Sequence, residues 1–187
     1  MISIIQKTKW FLNRKHFKNI KLIVLDIDGV LTDGYLYFDS QGNVAKKFSV
    51  RDGLGIRILQ ENGLIIVFLS GGLGGASEHR AKQLNIFKCI TEVKDKNKAL
   101  VKLQKELNIK KKETIYVGDD LNDLVVKNNV RFLISTSDAS YSFKKNADLT
   151  LASNGGEGAV RELSEKILFA KGIFHIISKK GWKDLND

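Results

Sequence analysis

The run Leu22-Ile23-Val24-Leu25 is apolar at every position and stops at a carboxylate, Asp26. Three similar runs follow at Leu64-Ile65-Ile66-Val67-Phe68-Leu69, Thr114-Ile115-Tyr116-Val117 and Arg131-Phe132-Leu133-Ile134. A strand with one wet face alternates apolar and polar residues, whereas a continuous apolar strand must be covered on both faces. Helical spacing fills the intervals, with Leu54, Ile58 and Leu59 ahead of Asn62-Gly63, then Ala76 to Leu84, then Ala99, Leu100, Leu103 and Leu107. Strand alternating with helix predicts an α/β fold, a three-layer Rossmann-like parallel sheet.

One segment breaks that alternation. Tyr35-Leu36-Tyr37-Phe38 and Val44-Ala45-Lys46-Lys47-Phe48 flank the polar stretch Asp39-Ser40-Gln41-Gly42-Asn43, which predicts a β-hairpin. Its aromatic side chains exceed what an isolated hairpin should expose, so it is expected to pack against a neighbouring subunit.

A chain of 187 residues suits one well-filled core. The lone Cys89 allows no internal disulfide and no cysteine-rich zinc set, which fits a reducing, cytoplasmic setting. The first 21 residues interleave Ile4, Ile5, Trp10, Phe11 and Leu12 with Lys7, Lys9, Arg14 and Lys15, a pattern expected of neither a secretion signal nor a membrane span. The net charge of +10 is read as a solvated basic surface that attracts anionic metabolites, with no nucleic-acid partner expected. His16, His79 and His175 lack ligand spacing, and with Trp10 and Trp182 they are assigned packing or surface roles.

In an open parallel sheet, ligands collect beyond the carboxyl ends of the strands. Asp26 and Asp28 follow the first run, and Gly118-Asp119-Asp120-Leu121-Asn122-Asp123 follows the third. A single aspartate there is commonly a helix cap; five at two strand ends exceed that need and suit a hard cation such as Mg²⁺. Packed carboxylates require neutralisation, and Lys96, followed by Lys98, is the candidate counter-charge. After the second run, Ser70-Gly71-Gly72-Leu73-Gly74-Gly75 offers a hydroxyl and flexible N–H groups to a phosphate. Together these parts describe a phosphoryl-transfer site.

Taken in order, Asp26-Ile27-Asp28-Gly29, Ser70, Lys96 and Gly118-Asp119-Asp120 resemble the four motifs of the haloacid dehalogenase superfamily of phosphatases. The resemblance implies that Asp26 attacks phosphorus to form an aspartyl-phosphate, while Asp28 protonates the leaving oxygen and later activates water. It also implies Mg²⁺ held by the Asp26 side chain, the Asp28 backbone carbonyl and Asp119, with Ser70 and Gly71 on the phosphoryl oxygens and Lys96 offsetting charge. Asp120, Asn122 and Asp123 fall to auxiliary places.

From about Lys21 to Arg161 the chain further resembles the small, capless sugar-acid phosphatases of that superfamily. The likeness rests on Asp26-Ile27-Asp28-Gly29-Val30-Leu31-Thr32-Asp33-Gly34, the hairpin, Phe48-Ser49-Val50-Arg51-Asp52-Gly53 and Gly155-Gly156-Glu157-Gly158-Ala159-Val160-Arg161-Glu162. It implies a hairpin flap over about 34–49 in place of a cap domain and a homotetramer assembled through the flaps. The implied substrate is 3-deoxy-D-manno-octulosonate 8-phosphate, contacted by Asp33, Lys46 and Arg51. The alternatives are an N-acylneuraminate 9-phosphate or related nonulosonate phosphate, and an inactive regulatory or assembly subunit. Gly72 and Glu157 stand where such proteins commonly carry arginine, and Lys46, Lys47, Lys94 or Arg80 can compensate. The expected organisation is an extension over 1–20, a phosphatase domain over 21–172 and a tail over 173–187.

Overall fold

Leu22–Leu25 forms β1, every side chain of which is buried. The computed structural model describes residues 4–182. Ahead of β1 lie helix α1 (Ile4–Asn13) and a 3-10 segment (Arg14–Asn19); after it comes the hairpin of β2 (Tyr37–Phe38) and β3 (Val44–Ala45). Then follow α2 (Val50–Glu61), β4 (Ile65–Leu69), α3 (Ala76–Gln83), β5 (Lys88–Ile90), α4 (Lys96–Glu106) and β6 (Thr114–Gly118). A second long 3-10 segment (Leu121–Asn129) leads to β7 (Phe132–Ser135), α5 (Tyr141–Asn146), β8 (Leu149–Thr150), α6 (Ala159–Ala170) and α7 (Phe174–Lys180).

The main sheet has six strands in the order β5-β4-β1-β6-β7-β8, all parallel. Alternate residues of β1 feed different cores, because successive side chains point to opposite faces. Ile23 and Leu25 join Ile56, Leu59, Leu163 and Ile167 on the face covered by α2 and α6. Leu22 and Val24 join Leu100, Leu103, Val126 and Phe143 on the face covered by α4, the second 3-10 segment and α5. Each fully buried aliphatic side chain contributes about 1.5–3 kcal/mol, so this doubly covered sheet is the main source of stability. The three-layer reading of the sequence is the architecture observed.

The sequence order of the strands reverses direction at β1, with β4 and β5 to one side and β6, β7 and β8 to the other. Beyond the carboxyl ends of β1 and β6 this leaves the crevice in which open α/β sheets bind ligands.

Residues 4–20 are packed onto this unit. Trp10, Phe17 and Ile20 are buried, the Trp10 Nε1 donates to the Thr150 carbonyl at 2.9 Å, and Phe17 stacks on Phe132 with ring centroids 5.0 Å apart. At the other end α7 packs on α6, and Trp182 donates to Glu61 at 2.6 Å. The remainder of the expected tail, 183–187, lies outside the described residues.

Candidate active site

Asp26 leaves the end of β1 with a backbone N–H donated to the Val117 carbonyl of β6 at 3.0 Å, and its side chain is 6% exposed. Lys96 enters from α4, whose start is fixed by Asp95: its Oδ1 accepts the Lys98 N–H at 2.9 Å, an N-cap. The Lys96 Nζ then lies 2.9 Å from Asp26 Oδ1 and 2.6 Å from Asp123 Oδ1. Burial works against the ammonium, but the Asp26 and Asp123 carboxylates outweigh it and raise the Lys96 pKa above its ordinary value.

Asp123 is fully buried and its oxygens are already occupied. Oδ1 accepts from Lys96 and from the Tyr116 hydroxyl at 2.6 Å, and Oδ2 accepts the Asp119 N–H at 3.0 Å. Burial, then the Asp123 carboxylate, pushes the Tyr116 hydroxyl well above its usual pKa and keeps it a donor. This carboxylate therefore aims Lys96 and Asp119 at Asp26.

Carboxylate oxygens of Asp26, Asp119 and Asp123 lie within 4.8 Å of one another. Burial, then the charge of Asp123, raises Asp26 to about 8; burial, then Asp123 and Asp120, raises Asp119 to about 7. Asp26 Oδ1 sits at ion-pair distance from Lys96. An all-oxygen donor set of three carboxylates around a single ammonium leaves an excess of negative charge that fits a hard divalent cation. With Asp123 already accepting three donors, Asp26 and Asp119 are the carboxylates with the most lone pairs to give.

Glycines make room for this packing. A Cβ on Gly29, whose φ is +84°, would stand 2.1 Å from Asp119 Oδ2, and one on Gly118 would stand 2.4 Å from Asp123 Oδ2.

Ser70 ends β4 and is buried, with its Oγ accepting the Gly72 N–H at 3.0 Å. Beside it, Asp28 is held by a residue of the hairpin: Lys46 Nζ is 2.8 Å from Oδ1 and 2.9 Å from Oδ2, and also donates to Ser77 Oγ at 3.2 Å. A Cβ on Gly72 would lie 2.9 Å from Asp28 Oδ2 and 3.8 Å from Lys46 Nζ. The Lys46 ammonium thus reaches the region bordered by Gly72, which itself carries no charge.

The other predicted residues sit further out. Asp33 accepts from the Tyr37 hydroxyl at 2.6 Å and lies 3.7 Å from Lys47, and the Tyr37 hydrogen bond is the main cause of its lowered pKa. Arg51 is exposed on the first turn of α2, and Gly71 follows Ser70 on the site loop. Asp120 is exposed and accepts its neighbour Leu121 N–H at 2.8 Å, and Asn122 is exposed. Sequence reading gave no role to Tyr116 or to Asp52. Asp52 accepts the Gly158 and Arg161 N–H groups at 3.2 and 2.8 Å, so it caps α6 from α2.

A family model described as haloacid dehalogenase-like hydrolase matches residues 78–163. The 3-deoxy-D-manno-octulosonate 8-phosphate phosphatase of Haemophilus influenzae is 36% identical over 159 residues, covering 85% of this chain and 88% of that protein. This chain belongs to the haloacid dehalogenase-like hydrolases. The same phosphatase from Moraxella catarrhalis, solved with a magnesium ion, a phosphate ion and a KDO molecule, superposes with a TM-score of 0.86 at 36% identity, covering 90% of this chain and 97% of that one. A hydrolase of the same superfamily from Legionella pneumophila gives a TM-score of 0.88 at 33% identity over 95% of this chain and 97% of that one. A haloacid dehalogenase-like assignment agrees with the geometry: the carboxylates, the hydroxyl and the ammonium converge at the ends of β4, β1 and β6.

Proposed function

We propose that this chain is a Mg²⁺-dependent phosphomonoester hydrolase acting on 3-deoxy-D-manno-octulosonate 8-phosphate through an aspartyl-phosphate. The observation that carries this reading is the buried Asp26 carboxylate, paired with Lys96 and grouped with the Asp119 and Asp123 carboxylates. Relatives of that activity, matched over most of both chains, support the substrate.

Asp26 attacks phosphorus with one carboxylate oxygen as the bond to the sugar oxygen breaks. Asp28 gives its proton to the departing alcohol, then takes one from the water that cleaves the aspartyl-phosphate and releases inorganic phosphate. The Asp26 side chain, the Asp28 backbone carbonyl and Asp119 would hold Mg²⁺, which when bound offsets the charge of phosphate and carboxylates. Lys96 orients Asp26 and works against the burial and the Asp123 charge that raise its pKa, while Ser70 and the Gly71 and Gly72 backbone face the phosphoryl oxygens.

Lys46 Nζ lies 2.8 Å from Asp28 Oδ1, and we read its ammonium as passing from Asp28 to the incoming phosphate. Asp33 and Arg51 complete the substrate side, with Arg51 offered to the sugar-acid carboxylate; Asp120 and Asn122 are left to shape the loop.

The exposed Tyr35, Leu36 and Phe38 of the flap suit contact with neighbouring copies in a homotetramer. The setting we propose is cytoplasmic, where Cys89 stays reduced.

Phosphate release is measured for the eight-carbon and nine-carbon sugar-acid phosphates, with and without Mg²⁺. We expect preference for the eight-carbon substrate and loss of turnover in Asp26→Asn; metal-independent turnover or an active Asp26→Asn sinks the mechanism. Preference for a nine-carbon substrate refutes only the substrate.

A further inference from the structure

The solvent side of α1 is apolar, the reverse of what a surface helix ordinarily shows. Its inward direction is set by Trp10, bonded to the Thr150 carbonyl, and by Gln6, whose Oε1 accepts the Thr150 N–H at 3.2 Å. At about 100° per residue, that orientation turns Ile4, Ile5, Thr8, Phe11 and Leu12 outward within an arc of about 120°. The four apolar members are 82%, 70%, 61% and 66% exposed. Lys7 and Lys9, both exposed, stand at opposite edges of the arc.

The apolar surface continues past the helix. A groove of about 290 Å³ between α1 and α6 is lined by Phe11, Phe169 and Phe174, with Arg14 and Lys166 at its border. Its one carboxylate, Glu165, is engaged by Arg161 at 2.8 Å. Phe169 is 69% exposed, and Ile176 of α7 is 55% exposed.

Charge is concentrated on the same segments. Residues 1–21 and 171–187 hold ten Lys and Arg against two Asp, whereas residues 22–170 hold 21 against 19. The two terminal segments thus carry +8 in a chain whose total is +10. Lys171 Nζ donates to the Lys18 carbonyl at 3.1 Å and ties the two segments together.

We propose that α1, the 3-10 segment after it and α7 form a peripheral docking face for an anionic lipid bilayer. Exposed apolar side chains flanked by lysines match an interface in which acyl chains lie beneath negative headgroups. A second copy of this chain fits poorly, because a symmetric contact would set the exposed Lys7 and Lys9 of one copy against those of the other. No helix among the described residues is long and apolar enough to cross a membrane, so this contact rests on the surface. The sequence expectation of no membrane partner rests on run length, which tests for a span and not for an interfacial helix. Lys18, Lys21 and Lys171 share a groove at the amino-terminal end of β1 and β6, opposite the strand ends that carry the candidate site.

The test is cosedimentation of the full chain with vesicles of phosphatidylcholine and phosphatidylglycerol in equal parts, against vesicles of phosphatidylcholine alone. We expect binding to the anionic vesicles only, weakened by salt. The double variant Phe11→Asp, Leu12→Asp should lower partitioning by about tenfold with p-nitrophenyl phosphate turnover unchanged. Lys7→Glu with Lys9→Glu gives the same reading by an independent route should the first variant fail to fold. No binding at low salt overturns the proposal, as does binding unaffected by either variant. A wild-type mass that falls in the Phe11→Asp, Leu12→Asp variant, without vesicle binding, assigns the face to self-association instead.

Discussion

Replacing Lys96 with methionine keeps the length of the side chain and removes its charge, which makes it a direct test of how the site is balanced. Lys96 is 3% exposed and lies within 3 Å of two carboxylates. Removing one partner from a buried ion pair costs about 3–5 kcal/mol, because the remaining charge is left uncompensated. For a domain of this size each kcal/mol is worth about 2–4 °C in Tm, so Lys96→Met should unfold roughly 6–20 °C below wild type in a chelating buffer. Mg²⁺ should then recover more stability in the variant than in wild type, since the ion takes over part of the neutralisation. At a hundredfold excess over Kd, ligand linkage alone adds about 2.7 kcal/mol. Turnover should stay depressed by on the order of a hundredfold or more even with Mg²⁺, because Asp26 has lost the group that orients it. Calorimetry with and without Mg²⁺, paired with phosphate release, checks both. A Tm within about 2 °C of wild type, less than the span of one kcal/mol, refutes the view that Lys96 holds this cluster together.

Gly29→Ala should abolish Mg²⁺-dependent turnover while leaving a folded protein, since its Cβ would meet Asp119 Oδ2 at 2.1 Å; the left-handed backbone adds about 1–2 kcal/mol of strain, visible by thermal melting. Asp52→Ala removes the acceptor of two N–H groups at the start of α6 and should cost about 1–3 kcal/mol, with Asp52→Asn milder; equal melting of both variants and wild type would refute the capping role. Lys46→Met should lower kcat/KM for the sugar-acid phosphate by about ten- to a hundredfold, and an unchanged value would remove Lys46 from the site. Light scattering should give a multiple of the monomer mass that is lost when 35–48 is deleted, and a stable wild-type monomer would refute assembly through the flap.

The central strands were legible because burial on both faces leaves a continuous apolar run, a signal that does not depend on distant residues. β5 and β8 were not, being three and two residues long at the sheet edges. The convergence of Asp26, Asp28, Ser70 and Asp119 followed from strand ends in a parallel sheet, whereas Lys96, on α4, came from charge balance and the family resemblance. The central place of Asp123 did not, since an aspartate in a polar turn reads as exposed until Lys96 and Tyr116 are seen to enclose it. The facing of α1 was hidden for a similar reason: the helical spacing is plain, but which side turns inward is decided by Thr150, far along the chain.

Asp52, the residue after Arg51, is bonded to the backbone of the segment that begins α6, over 100 positions later. Variation in these two stretches is therefore bound by one shared carboxylate. A loop exchange that imports a new Arg51 neighbourhood without its matching glycine-rich turn would orphan either the acid or the helix start. Natural or designed changes of substrate should accordingly appear in both stretches at once, as a single exchangeable cassette divided in sequence and joined in space.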